Sequence, residues 1–250
     1  MTNSNSVTII ETTPIDSCKY LLVGLPDVGL AGSIALSYLI QEQQMAEIGH
    51  LESDAFPPVI VIHKGEPKHP LRIYSKGDVA VIMSEIAIDR YLLSSIAHSI
   101  VEWTKSKNVE IVIALSGIEI PNRLEIEVPE VYGVSSSGTI KNLILKADIN
   151  ILEEGFITGF HAVMMKECLK QNVQNITLLA QSHLQYPDPD ASASLIISVN
   201  KLVGLNVDTT KLLVEGEETR LKVRGLMQRT QQQMQQTEKE QDQEIPLMYV

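Results

Sequence analysis

Short runs of Val, Ile and Leu, bounded by glycine, proline or polar residues, recur along the first 200 residues: Tyr20–Gly24, Val59–His63, Val79–Ser84, Ile111–Ser116 and Ile176–Gln181. Runs of this length and composition predict strands. The stretch Ile111-Val112-Ile113-Ala114-Leu115 has no polar alternation, as expected of a strand covered on both faces. Longer segments with helical spacing lie between the runs: Leu30–Gln41, Asp89–Lys105, Thr158–Gln171 and Pro189–Val203. Asp89 suits an N-cap, and Pro189 suits a first helical turn. Strand and helix thus alternate, which predicts an α/β fold with a mostly parallel central sheet flanked by helices. Residues 46–84 contain no helical pattern, and Lys76-Gly77-Asp78 signals a hairpin. Antiparallel strands are therefore expected to extend that sheet.

The pattern changes after Asp208. Residues 209–242 contain no proline, and their apolar positions thin out after Met227. Half of residues 228–243 are glutamine, and Met234 is the one apolar side chain among them. Such a stretch cannot bury a face of its own. The chain accordingly divides into an α/β core domain, residues 1–208, and a helical glutamine-rich arm, residues 209–250. Leu212, Leu213, Leu221 and Leu226 can pack the root of the arm on the body. A continuous helix over residues 209–242 would span about 50 Å. Pro246 ends any helix and leaves Met248, Tyr249 and Val250 as an extended tip.

Composition narrows the functional classes. The 250 residues (27.7 kDa) are 44% hydrophobic and 20% charged, with aromatics at 4%, so the core must be mainly aliphatic. A net charge of −11 argues against nucleic acid and against anionic membrane surfaces. No run of eighteen apolar residues is present, and residues 1–6 do not read as a secretion signal, so a cytoplasmic protein is expected. Cys18 and Cys168 lack a partner motif and read as reduced thiols.

No local motif supports catalysis. The glycine-rich strand-to-helix turn Gly24–Gly32 invites a phosphate-binding reading, but Pro26 replaces a needed glycine amide and no Gly-Lys-Ser/Thr follows. Tight turning and close helix–sheet approach explain these glycines without a ligand. The six histidines, His50, His63, His69, His98, His161 and His183, form no metal-binding pair, and no Cys-x-x-Cys exists. His63 and His69 flank a charged surface loop, whereas His161 reads as a packed side chain at a helix start. Ser116-Gly117, placed just after a strand, and Ser135-Ser136-Ser137-Gly138 lack the esterase elbow, and serines there are expected to cap helices. Glu125, Glu127 and Glu130 alternate with Ile126 and Val128, as on a strand with one wet face. No catalytic residue, cofactor or metal site is assigned.

Several separated blocks resemble the proteasome assembly chaperone 2 family in its archaeal form. They are Gly24–Gly32, Ser116-Gly117, Pro129–Ser136, Glu154-Gly155-Phe156-Ile157-Thr158-Gly159 and Tyr186–Ala193, in matching order over most of residues 7–215. The resemblance implies a nucleoside-phosphorylase-like α/β fold without known catalysis. It also implies symmetric homo-oligomers, a tetramer or pentamer, that bind proteasome α-subunits. Met248-Tyr249-Val250 resembles the hydrophobic-Tyr-X tail by which proteasome activators and some assembly chaperones dock between α-subunits of the 20S core.

Elementary energetics favours several tails per particle. Burying Met248 and the Tyr249 ring contributes about 1.5–3 kcal/mol each. Ordering the tip costs about 1–2 kcal/mol per residue, so one tail binds weakly even with a carboxylate–lysine pair. Arms projecting together from one face of an oligomer gain about 10²–10⁴ in avidity. Two rival classes remain: a nucleoside phosphorylase- or hydrolase-like enzyme using the glycine turn and Ser116, and a scaffold whose arms only bundle with one another.

Overall fold

The computed structural model describes residues 6–184, 186–214 and 216. The chain begins with strand β1 (Thr8–Glu11) and strand β2 (Tyr20–Gly24), then helix α1 (Ala31–Gln43). Strands β3 (Ala46–Glu52), β4 (Val61–His63), β5 (Glu66–Lys68), β6 (Leu71–Lys76) and β7 (Val79–Ser84) follow without an intervening α-helix. Helix α2 (Leu93–Ser106) leads to β8 (Ile111–Glu119) and β9 (Val131–Ser135). The order ends with α3 (Gly138–Lys146), β10 (Asn150–Ile151), α4 (Gly159–Lys170), β11 (Asn175–Ser182) and α5 (Pro189–Val203).

Nine strands form one sheet in the order β1-β3-β6-β7-β2-β8-β11-β9-β10. Its centre, β7-β2-β8-β11, is parallel, with Tyr20 opposite both Val79 and Ile111. The predicted antiparallel extension is present: β1, β3 and β6 continue the sheet beyond β7, and Lys76-Gly77-Asp78 turns β6 into β7. Beyond β11 the strand β9 is antiparallel, and β10 pairs parallel with it.

Both faces are buried, which accounts for the uninterrupted apolar runs. Leu22, Val81, Ile113, Leu115 and Leu178 pack under α1, α3 and α5, while Leu21, Val23, Ile82 and Val112 pack under α2 and α4. Adjacent residues of one strand thus enter opposite cores. No described helix is long and apolar enough to cross a membrane.

Some expectations are corrected. Val59–His63 does not enter the main sheet: only Val61–His63 is a strand, and it pairs with β5 in a separate hairpin, because Pro57 and Pro58 break the run upstream. Ser116-Gly117 lies within β8 rather than after it, since that strand pairs with β11 as far as Glu119. Asp89 makes no side-chain cap bond; it precedes a short 3-10 turn, and α2 starts at Leu93. Glu125, Glu127 and Glu130 do not lie on a strand. Glu125 ends a 3-10 turn, Pro129 offers no amide, and Arg123 Nη1 donates to the Ile126 carbonyl.

Beyond α5 the chain runs back along the body. Residues 210–214 and 216 are helical; Tyr38 Oη donates to the Asp208 carbonyl (2.8 Å), and Lys211 meets Glu42 (2.8 Å). Leu212 is buried, whereas Leu213 and Val214 face out. Gly216 touches the Asp190 carboxylate, where a Cβ would collide with it. Leu221, Leu226, Met248, Tyr249 and Val250 lie outside the described residues.

Candidate functional site

In an open α/β sheet, ligands bind beyond the carboxyl ends of the parallel strands, where successive connections diverge. Here that point lies between β2 and β8, because β2 leads towards β3, β6 and β7 while β8 leads towards β9 and β11. The glycine-rich turn and Ser116-Gly117 both sit there.

The turn is spent on the protein itself. Leu30 N–H donates to the Asp27 carbonyl (3.0 Å), Ala31 N–H donates to the Val28 carbonyl, and Pro26 has no N–H. Gly29 takes a φ of +61°, and its carbonyl accepts from Asp188 N–H at 2.9 Å. A Cβ on Gly29 would lie 2.8 Å from the His183 carbonyl, and one on Gly117 would lie 2.6 Å from the Val28 carbonyl. A Cβ on Gly32 would collide with the Leu115 carbonyl. The loop packs across the ends of β2 and β8, beside a cavity of about 470 Å³ lined by Pro26, Leu30, Ser33, Met83, Ser84 and Glu85, and its glycines serve close packing, as the sequence suggested.

Beneath the loop lies a polar trio. Ser116 Oγ donates to Asp27 Oδ2, and His161 Nε2 sits 2.9 Å from that same oxygen. His161 is 2% exposed, and neither ring nitrogen has a hydrogen bond of acceptable direction; Asp27 Oδ1 and Ser33 Oγ also lack partners among the described residues. The order is Ser–Asp–His, with the carboxylate in the middle. A nucleophilic triad needs the imidazole between serine and acid, so this arrangement does not activate Ser116.

A second buried group braces the same region. Arg123 Nε and Nη2 each donate to an Asp188 carboxylate oxygen at 2.8 Å, and Asp190 lies 3.8 Å from Nη2. Asp188 also caps α5 through Ala191 N–H (3.0 Å) and accepts from His183 N–H (3.1 Å). Burial holds the His183 imidazole below its ordinary pKa, with Arg123 adding to that and Asp188 opposing it. Ser137 caps α3 by accepting from Ile140 N–H, as expected of a serine before a helix. Among the described residues no group of three or more His, Cys, Asp or Glu side chains is placed to hold a metal.

The sequence singled out Ser116, His161 and the glycine turn but not their meeting, since the three lie on different elements. Arg123 carried no signal. Asp188 did, because an aspartate followed by proline at a helix start is a capping pattern.

Comparison with known proteins bears on the whole chain. The family model of the PAC2 family matches residues 21–227. The crystal structure of Pyrococcus furiosus PbaA, an archaeal homolog of proteasome-assembly chaperone, is 30% identical with a TM-score of 0.79; the match covers 97% of this chain and 100% of that one. P. furiosus PbaB, an archaeal proteasome activator, shares the fold at 21% identity and a TM-score of 0.78, over 89% and 99% of the two chains. An uncharacterised Methanocaldococcus jannaschii protein is 28% identical over 239 residues, covering 94% of this chain and 97% of its own.

Proposed function

The chain belongs to the PAC2 family, and from that premise we propose that it is a non-enzymatic, ATP-independent protein of the proteasome system, an assembly chaperone or a gate-opening activator. The observation that carries this reading is the likeness to PbaA over nearly the full length of both chains. In this reading Tyr249 wedges between neighbouring α-subunits of the 20S core, Met248 supplies an apolar contact, and the Val250 carboxylate meets a lysine. Several copies act together, as a tetramer or pentamer, because one such tail binds weakly.

The loop packed between β2 and β8 supports a non-catalytic role. Where a doubly wound enzyme receives its substrate, this chain inserts its own residues 25–30, and the best-placed serine is bound to Asp27. The arm's root adds support, since Thr209 and Leu212 are buried and Lys211 meets Glu42 on the body.

The decisive experiment is capture of purified 20S core and of free α-subunits, by the intact protein and by a variant lacking residues 248–250, with peptide hydrolysis measured in parallel. Binding lost on truncation, with fold and assembly unchanged, is the expected result. Capture of free α-subunits alone identifies a chaperone, and stimulated hydrolysis identifies an activator. Equal binding by the truncated protein overturns the docking model. Strong thermal stabilisation by nucleosides or phosphate would favour the enzyme class instead.

A further inference from the structure

The β4–β5 hairpin has little apolar grip on the rest of the chain. It forms a sheet of its own, and among the described residues neither hydrophobic core takes a side chain from residues 59–68. Val59, Ile60 and Ile62 instead stand 41%, 55% and 66% exposed. The contacts that tie the hairpin to β3 are polar. Lys68 lies 3.7 Å from Glu47. One residue on, where β5 gives way to β6, the His69 ring lies flat on the His50 ring of β3, with centroids 3.6 Å apart and planes 4° from parallel.

Such a stack is sensitive to protons. Both rings are half-buried, and two imidazolium ions at this spacing repel each other strongly away from bulk water. Burial first, and then the neighbouring His69, hold the His50 imidazole below its ordinary value, against the opposing pull of Glu52 and Glu47. On β6 the residue opposite His50 is Arg72, itself paired with Glu47 and Glu85, and on β1 it is the uncharged Ile10. The hairpin adds Lys68 and the exposed His63. Rings that part recover their ordinary basicity. Opening therefore takes up protons and is favoured as the pH falls below 6.5.

We propose that the His50–His69 stack is an acid-released clasp, which holds the hairpin against the sheet while the rings are neutral and frees it when they are protonated. The hairpin then serves as a lid, moving on residues 57–60 and 69–70. Its Lys64, Glu66 and Lys68 share with Arg72, Tyr74 and Met83 the lining of a trough of about 620 Å³. Those three sheet residues are buried while the clasp is shut, and its release uncovers them. The device is independent of proteasome docking and of assembly.

The test uses the full chain carrying spin labels on Ser37→Cys and Lys64→Cys, exposed positions that both line the trough; the native thiols are buried. Dilution with unlabelled protein restricts the reading to distances within one chain. At pH 8 a single short distance is expected. As the pH falls below 6.5 a longer one should gain, the open-to-closed ratio rising up to about tenfold per pH unit for each proton taken up. The double variant His50→Phe, His69→Phe keeps two rings in place without their protons and should hold the short distance throughout. No longer distance in the histidine-bearing protein by pH 5 overturns the proposal. An equal acid response in the double variant also overturns it, and assigns the movement to His63 or to a carboxylate. Circular dichroism is followed at each pH, and a lengthening that arrives only with loss of the whole fold overturns the clasp as well.

Discussion

Arg123 and Asp188 meet fork to fork, two hydrogen bonds of 2.8 Å between side chains that are only 2% and 3% exposed. Asp188 simultaneously caps α5 and receives the His183 amide, so one carboxylate joins three segments. Arg123→Ala would leave the buried Asp188 carboxylate without the fork that neutralises it. A loss of about 3–5 kcal/mol is expected. Arg123→Lys should fall between, since lysine restores charge but not the fork. Urea unfolding of the three proteins measures both; a cost under about 1 kcal/mol for Arg123→Ala would show that the pair is not a brace.

Glycine substitutions should separate sharply by position. Gly32→Ala drives a methyl into the Leu115 carbonyl, backbone against backbone, and should cost at least the upper end of about 1–3 kcal/mol. Gly138→Ala meets nothing within 4 Å at the start of α3 and should gain about 0.4–1 kcal/mol. Thermal melts showing equal shifts for the two variants would contradict the close approach of α1 to β8.

The two thiols should be silent in the folded protein. Burial pushes Cys18 up to about 11 and Cys168 up to about 12. Both are free and buried, so a disulfide-exchange dye at pH 8 should react with neither until denaturant is added, then with both. Because folding favours the neutral thiol, this contribution to stability is whole below the unfolded value of 9.0 and fades as pH rises through 11. Cys18→Ala should flatten that alkaline decline.

At acid pH the sign reverses. Hydrogen bonding, first from His98 and then from Gln171, holds the Glu167 carboxyl below the usual range. His98 Nδ1 lies 2.9 Å from Glu167 Oε1, joining α2 to α4. A depressed carboxylate stabilises the fold above its unfolded pKa, and that contribution is lost as pH falls through the folded value. Glu167→Gln should therefore melt lower than wild type at neutral pH and lose less on acidification. Parallel acid titrations of the two proteins would refute this reading.

The extent to which sequence revealed structure depended on how locally each element is determined. Tyr20–Gly24, Val79–Ser84 and Pro189–Val203 were readable to their ends, because burial on both sheet faces or a proline and a following glycine bounds them. Strand β8 runs on through Ser116 and Gly117, which no propensity favours, because pairing with β11 holds them extended. Helix α3 is signalled in the sequence only by its serine cap, although Ile140 and Ile144 share a buried face. At nine residues its periodicity is brief. The meeting of Asp27, Ser116 and His161, and of Arg123 with Asp188, joins residues distant in sequence. Only the sheet order brings them together.

The loop packed across the ends of β2 and β8 has an evolutionary corollary. A pocket there could be reopened only by dismantling contacts that hold α1 and α5 in place, since Gly29 answers to Asp188 and Gly117 to Val28. Innovation by small-molecule chemistry is thereby hindered between β2 and β8, a position where this architecture usually permits it. New specificity must be written on the outer edges of the sheet, where sequence can drift without unravelling the interior.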